Sequence, residues 1–504
     1  MSTEAAHASV TLADHLPALQ VAVPLLGAVA AAMVRRGAIA WLVTVIVAWL
    51  MPVIALGLLY QVLATGAPVS YALGGWPPPI GIEYRVDEAN AFLLLLVSIM
   101  AALVTIYMPR SIADEIPPER QCWYYAIFQL CLCGLLGMVI TGDAFNIFVF
   151  MEVSSLATYV LIAMGRDRRA LVSAYQYLVI GTIGATFYVI GVGLLLTMTG
   201  TLNLVDMAAR LEAVENTRPL IAALAFIGVG ISLKLALFPL HLWLPNAYAY
   251  APSAATAFLA STATKVAVYV LLRFLFSVFG VDITFGDTPA AKMVLVLAVL
   301  AMLAPSTVAI FQTNVKRMLA YSSVAQIGYI MLGVALVSQT GLTGGISHLF
   351  NHAIIKGCLF LAVGCMVYST GITRIEQMAG IGRTMPVTMG AFVVAGLGLI
   401  GVPGTAGFVS KWFLIMGAVE QGLWWLAAVI VMSSLLAVIY VGRIVEIAWF
   451  RAPAAAAINP RNPPAEMVAI TWVLAAATIY FGFDTRISAG VAGQAAELLL
   501  AGYR

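Results

Sequence analysis

About fourteen apolar stretches of roughly 18–27 residues follow one another along this chain, each long enough to cross a hydrocarbon layer of about 30 Å as a helix. They lie near residues 16–34, 38–62, 89–109, 122–140, 144–164, 171–199, 219–240, 254–277, 293–312, 320–338, 343–369, 387–415, 424–450 and 466–484. Of the 504 residues 62% are hydrophobic and only 9% charged, with a mean hydropathy of +1.01. A soluble domain carries about 25% charge. The apolar runs are unbroken rather than alternating, so membrane-spanning helices are expected and a barrel is not. The fold class is therefore an all-α polytopic membrane protein with about fourteen spans.

The net charge of +3 carries no information in such a protein, and no basic patch interleaved with aromatics points to nucleic acid. The five cysteines (Cys122, Cys131, Cys133, Cys358 and Cys365) form no paired framework. Neither a zinc site, an iron–sulfur cluster nor structural disulfides are expected of them. The segment MSTEAAHASVTLADHLP lacks a basic start and is not expected to be a cleavable signal. The loops after odd-numbered spans hold fourteen Lys and Arg, Lys316 and Arg317 among them, against six on the other side. That bias puts both termini outside the cytoplasm. One membrane domain is expected. Residues 63–88, rich in Pro, Gly and Tyr, suit a short hairpin on the outer face, and 201–215 suits a short surface helix.

Two spans contain breakers. The seventh reads ISLKLALFPLHLWLP, with Lys234 five residues before Pro239; the twelfth reads GLIGVPGTAGFVSKWFL, with Pro403 and Gly404 ahead of Lys411. Proline removes a helix hydrogen bond, and such breaks survive where the backbone is buried in protein or lines a wet cavity. Interrupted spans in corresponding places are a mark of inverted repeats. Helices four to eight (122–277) and nine to thirteen (293–450) would be the two five-helix repeats, after three N-terminal helices (16–109) and before a last helix and tail (466–504). Two ordinary proline kinks with no symmetry are the simpler alternative.

Five ionisable residues sit in these interiors: Glu152, Lys234, Lys265, Lys356 and Lys411. A charge at the bilayer centre costs at least about 2.5–3.5 kcal/mol, so each is by default part of an ion or proton path. Glu152 and Lys234 form a candidate pair on different helices: paired, both keep their charge; separated, the lysine releases its proton. The alternative is a static buried ion pair. Lys265 has no acid in its own span and lies too deep to snorkel easily. In the eleventh span His348, His352 and Lys356 are spaced by four and stack on one helix face. Two histidines so spaced can bind zinc, but no acid is near in sequence, and a proton relay fits better. Lys411 follows the second break and is assigned the terminal relay position, facing a hydrated cavity. His241 lies beside the first break. Tyr175, Gln176, Ser322, Ser323 and Gln326 are candidates to hold connecting waters, although polar residues in spans also simply bond across helices.

The segments FNIFVFMEV, LKLALFPLHLWLPNAYAYAPSAATAFLASTATKVAVY, NVKRMLAYSSVAQIGYI, HLFNHAIIKGCLFLAVG and GVPGTAGFVSKW together resemble the antiporter-like subunits shared by Mrp-type cation/proton antiporters, respiratory complex I and membrane-bound hydrogenases. The resemblance covers nearly the whole chain. It implies fourteen helices, two inverted five-helix repeats, discontinuous helices seven and twelve, and a hydrophilic axis along the membrane midplane. By motif, the family's span-five Glu falls on Glu152, its span-seven Lys on Lys234, its span-eight Lys on Lys265 and its span-twelve position on Lys411. GGWPPPIGIEYRVDEANA, DAFNIFVFMEV and GTLNLVDMA look most like the D-type subunits of the Mrp branch.

The resemblance implies a proton-translocating subunit of a hetero-oligomeric sodium (or lithium)/proton antiporter in a bacterial cytoplasmic membrane. Its partners would be other membrane subunits and the lipid bilayer. No cofactor is expected, no metal ligands are assigned, and no redox chemistry is placed on this chain. The alternative is a proton-pumping subunit of a redox-driven complex, of hydrogenase or NADH–quinone type. A plain membrane scaffold is disfavoured, because leucine would be less costly to bury than four lysines.

Overall fold

The computed structural model describes residues 11–286, 288–453 and 461–503. The first ten residues of the segment read above as no cleavable signal, and Arg504 from the charge count, lie outside them. Among the described residues the helices run α1 Leu16–Met33, α2 Gly37–Thr65, α3 Glu88–Glu115, α4 Pro118–Ile140, α5 Ala144–Ala163 and α6 Arg169–Thr199. Then follow the short α7 Leu204–Leu211, α8 Thr217–Leu235, α9 Leu244–Tyr250, α10 Ser253–Leu272, α11 Ala290–Ile310, α12 Val315–Ala335 and α13 Gln339–Thr370. The chain ends with α14 Ile381–Thr384, α15 Pro386–Ile400, α16 Ala406–Glu420, α17 Trp425–Phe450, α18 Ala465–Phe483 and α19 Val491–Ala501. Among the described residues thirteen helical stretches are long and apolar enough to cross a membrane, and α15 is a shorter apolar helix.

Polar caps set the helix ends. Asp87 accepts from the amides of Ala89 and Asn90, while the Asn90 side chain bonds back to the Asp87 amide, a reciprocal cap that starts α3. Asn314 caps α12 through the Arg317 amide at 3.1 Å. That cap starts the helix five residues before the apolar stretch begins. Lys316, counted above with the loop charges, is therefore inside the first turn and buried.

Both expected breaks are present. In the seventh span α8 stops at Leu235, where Ala236 turns left-handed (φ 60°), and α9 resumes at Leu244. In the twelfth, α15 stops at Gly401 (φ 88°) and α16 resumes at Ala406. The two loops expected to carry local structure do so. Val69–Ala72 (β1) and Glu83–Val86 (β2) form an antiparallel hairpin with Val69 opposite Val86, and α7 lies within 201–215. Hairpin and helix are tied together. Buried Glu83 accepts from Ser70 Oγ (2.5 Å) and Asn203 Nδ2 (2.7 Å), and Asn203 caps α7. Loops after even-numbered spans and the described parts of both termini gather at this end; His15 and Gln61 bond Tyr71 and Ala13 there. At the other end Asn314 bridges Arg374, and Arg461 meets Asp114 at 3.5 Å. The residues after the last span are not a loose tail: α19 packs on α13 and α3.

Close backbone approach holds the second break shut. A Cβ on Gly407 would lie 1.9 Å from the Gly398 carbonyl oxygen. Gly407→Val is expected to lower the thermal unfolding midpoint of the purified protein by the equivalent of about 1–3 kcal/mol. Gly442→Ala, with nothing within 4 Å, is expected to leave it unchanged; equal midpoints for the two variants would contradict this packing.

Candidate functional site

The functional candidates fall on helices that pack in series: α8 against α10, α10 against α13, and α13 against α16. At one end Lys234, in the last turn of α8, places Nζ 3.6 Å from Glu152 Oε1 and 2.6 Å from Ser155 Oγ, both on α5. A cation in a last helical turn also faces the negative end of the helix dipole. The Lys234 side chain is 5% exposed and that of Glu152 is 25% exposed. This ion pair therefore sits at the flank of the chain, not at its centre. Glu152 Oε1 has no hydrogen-bond partner, so the lysine holds it by charge and the serine takes the shorter bond. The expected pair is formed, loosely.

Lys265, near the middle of α10, donates to the Ala260 carbonyl of its own helix and sits 3.4 Å from Thr264 Oγ1. Beside it runs the α13 stripe. Lys356 donates to the Leu319 carbonyl (2.9 Å) and to Ser322 Oγ, both on α12. His352 is fully enclosed, and neither ring nitrogen has a protein partner. Lys265 and Lys356 are both within Coulombic reach of it. Its ring stacks on His348 at 6.2 Å. His348 is fully satisfied, with Nδ1 2.8 Å from Ser410 Oγ and Nε2 2.9 Å from Gln326 Oε1.

Lys411 closes the row. Its Nζ donates to Ile400 O (2.7 Å), Leu399 O (3.1 Å) and Ser434 Oγ (2.9 Å), and lies 4.7 Å from the centre of the Tyr329 ring, which also meets His348. The carbonyls are those that the break between α15 and α16 sets free. Hydrogen bonds to a charged group are worth about 1.5–3 kcal/mol each, so three offset much of the burial cost. The first break is satisfied differently: Trp243 Nε1 donates to Leu233 O at 2.9 Å. Lys234 thus precedes its break and turns to Glu152 and Ser155 on α5, while Lys411 follows its own break and bridges it. Lys411 was expected to face a hydrated cavity; instead its ammonium is buried against helix-end carbonyls.

The connecting residues divide. Gln326 and Ser322 join the row as described. Ser323 bonds the Leu319 carbonyl of its own helix. Gln176 meets Asn246 at an exposed 3.5 Å contact, and Tyr175 is 66% exposed, pointing away from the row. His241 is buried by the first break, stacked on Phe238 at 5.3 Å, outside the row.

Sequence reasoning missed Ser155, Ser410, Ser434 and Tyr329, whose types are common in spans. It also missed a buried ion pair, Asp87–Arg273, in which Arg273 Nε is 2.8 Å from Tyr269 Oη and the guanidinium lies over the Tyr503 ring. An arginine at the end of an apolar stretch was the available signal, since such a charge demands a partner. Removing one member of a buried pair costs about 3–5 kcal/mol. Asp87→Ala is expected to lose that much by thermal unfolding and Arg273→Met less, because Asp87 keeps the two amides it caps. The reverse order would contradict the capping role.

The family described as NADH:quinone oxidoreductase/Mrp antiporter, transmembrane region, matches residues 141–437. The chain is 42% identical over 492 residues to "NADH-quinone oxidoreductase subunit N" of Desulforudis audaxviator (strain MP104C), covering 95% of this chain and 97% of that one. It is 29% identical over 485 residues to the D-type Na(+)/H(+) antiporter subunit of Bacillus subtilis (strain 168), covering 96% of each. Among solved structures it resembles a chain of the Mrp complex from Dietzia sp. DQ12-45-1b, with a TM-score of 0.88 at 28% identity over 97% of this chain and 98% of that one.

Proposed function

The chain belongs to the NADH:quinone oxidoreductase/Mrp antiporter family of membrane subunits, and on that premise we propose that it translocates protons as one subunit of a multisubunit membrane complex. One observation carries the reading. Glu152–Lys234, Lys265, Lys356, His352, His348 and Lys411 succeed one another across four packed helices, α8, α10, α13 and α16, with Glu152 reaching in from α5. Amines and imidazoles both accept and release protons. A charge arriving near Glu152 draws the carboxylate from Lys234. The lysine, left without its counter-charge in a dry setting, gives up a proton toward Lys265, and the α13 stripe relays it to Lys411.

The exchanged ion under this reading is sodium or lithium, and the energy is the proton gradient. The chain acts as a transporter subunit, without redox chemistry of its own. Its relatives named as D-type antiporter subunits and found in an Mrp complex support this. The reading also takes in a bacterial cytoplasmic membrane, supported by the bacterial source of the Bacillus relative, both termini outside, supported by the loop charge bias, and inverted repeats over 122–277 and 293–450. The matched left-handed residues at Ala236 and Gly401 favour the repeats.

A second reading rests on a specific observation. The relative at 42% identity is named as a subunit of NADH-quinone oxidoreductase. There the same row would be driven by redox chemistry in a partner.

Glu152→Ala, Lys234→Ala and Lys411→Ala are each expected to abolish proton transport in vesicles while the complex remains assembled. Lys356→Ala is expected to do less harm than Lys234→Ala. Normal transport in the first three would remove the proposal, and equal loss for the last two would reverse the ranking within the relay. Purification with native partners separates the two readings: small antiporter subunits support cation exchange, and iron–sulfur or nickel subunits support the redox-driven form.

A further inference from the structure

At the end of the molecule opposite the hairpin lies a cleft of about 860 Å³, bounded by the ends of α3, α9, α12 and α13 and by the loop between α5 and α6. Arg166, Asp167 and Arg169 line it and are exposed. Its inner wall includes Lys316, which is only 4% exposed. Lys316 Nζ donates to Ser253 Oγ (3.0 Å) and Ala251 O (3.3 Å), and the Ser253 amide donates to Glu115 at 2.9 Å. Two more polar atoms of the wall, Ser369 Oγ and Arg317 Nε, are buried without a protein partner. A space with a charged rim and unpartnered polar atoms in its wall is one that water fills.

From Lys316 the polar line continues inward along α12. The Leu319 carbonyl, one turn on, receives Lys356 Nζ (2.9 Å), Ser322 Oγ (2.9 Å) and Ser323 Oγ (3.1 Å). Lys356 also bonds Ser322 Oγ. At 1.5 Å rise per residue, the levels of Lys316 and of the Leu319–Ser322 turn differ by about 5–9 Å. A buried lysine, joined to Glu115 only through Ser253 and by charge at a distance, thus lies between an aqueous cleft and the nearest member of the buried row.

We propose that Lys316 is the residue that takes protons from this cleft and passes them to Lys356, which makes this end of the molecule the intake side. The proposal rests on the translocation reading above. A neutral Lys356 amine takes a proton from the Ser322 hydroxyl as that hydroxyl takes one from an intervening water, and the water takes one from the Lys316 ammonium. The Lys316 amine then takes a proton from hydronium in the cleft, leaving water. One proton moves inward, and every group regains its starting bonds except Lys356, which carries the charge onward.

The test uses oriented vesicles holding the assembled complex with Thr313→Cys, an exposed position in the cleft lining, and a membrane-impermeant charged methanethiosulfonate. The five native cysteines are all buried. Labelling is expected only from the face that carries the Arg166–Arg169 loop, with transport falling more than about tenfold relative to the same variant before labelling, as for loss of a proton-transfer group. Absence of labelling, or an adduct that leaves the rate unchanged, overturns the proposal. A second pair of variants separates proton transfer from simple capping of Ala251. Lys316→Arg keeps a charge and donors but cannot release a proton, so it is expected to assemble and to lose transport as Lys316→Met does; normal rates with Lys316→Arg overturn the proposal. Glu152→Ala in the same vesicles reports on the underlying reading. If it is inactive while the labelled cleft still passes protons, only the intake assignment fails; if it transports normally, the translocation reading fails.

Discussion

Inside a membrane a freed backbone carbonyl has no water to turn to, and neither has an ammonium group. Both problems arise in the second half of this chain, and each resolves the other. The break between α15 and α16 strands the carbonyls of Leu399 and Ile400, and the Lys411 ammonium caps them. Loss of the lysine would leave two carbonyls unpaired, and loss of the break would leave a buried cation without acceptors. The position of α16, the reach of Lys411 toward Tyr329, and through Tyr329 the contact with His348, all depend on that arrangement. The first break has no such reciprocity. Trp243 closes it, and Lys234 remains free to answer to Glu152. One end of the row is consequently fixed and the other held by a 3.6 Å ion pair, an asymmetry suited to a device in which a charge acts at one end and a proton moves at the other.

Much of this was legible in the sequence because lipid is a harsh solvent. Runs of apolar residues announced the spans, and Pro239, Pro403 and Gly404 announced the breaks, since in a span such residues are tolerated only for cause. The lysines stood out for the same reason. Periodicity alone put His348, His352 and Lys356 on one face of α13. What stayed hidden was everything set by contacts across long stretches of chain. Asp87 and Arg273 lie 186 residues apart, and nothing local in either names the other. Lys316 looked like a loop charge because hydropathy cannot see that Asn314 caps the helix one turn earlier. Tyr175 looked like a water-holding residue because α6 carries no pattern that marks which of its faces turns outward.

The two assemblies that the relatives represent ask the same thing of this chain. Under the proposed relay, the driving charge, whether an exchanged cation or a redox-driven event in a neighbour, acts on Glu152 from outside the row. Glu152 is the one member of the row with a partly exposed side chain, which is where a neighbouring protein would reach it. On the proposed reading, the chemistry on the far side of Glu152 is the partner's and the proton path is this chain's.

Proton passage along the row requires that the buried amines and imidazoles be joined through hydrogen bonds into one path. His352 is its most demanding point: an enclosed imidazole with no protein partner on either nitrogen, stacked on His348 and one helical turn from Lys356. A cryomicroscopy map of the assembled complex, sharp enough to resolve ordered water, tests this directly. Waters bonded to the His352 nitrogens and leading to Lys265 and Lys356 are the predicted result. A dry, apolar enclosure around His352, with each lysine bonded only to its own local carbonyl, would contradict it.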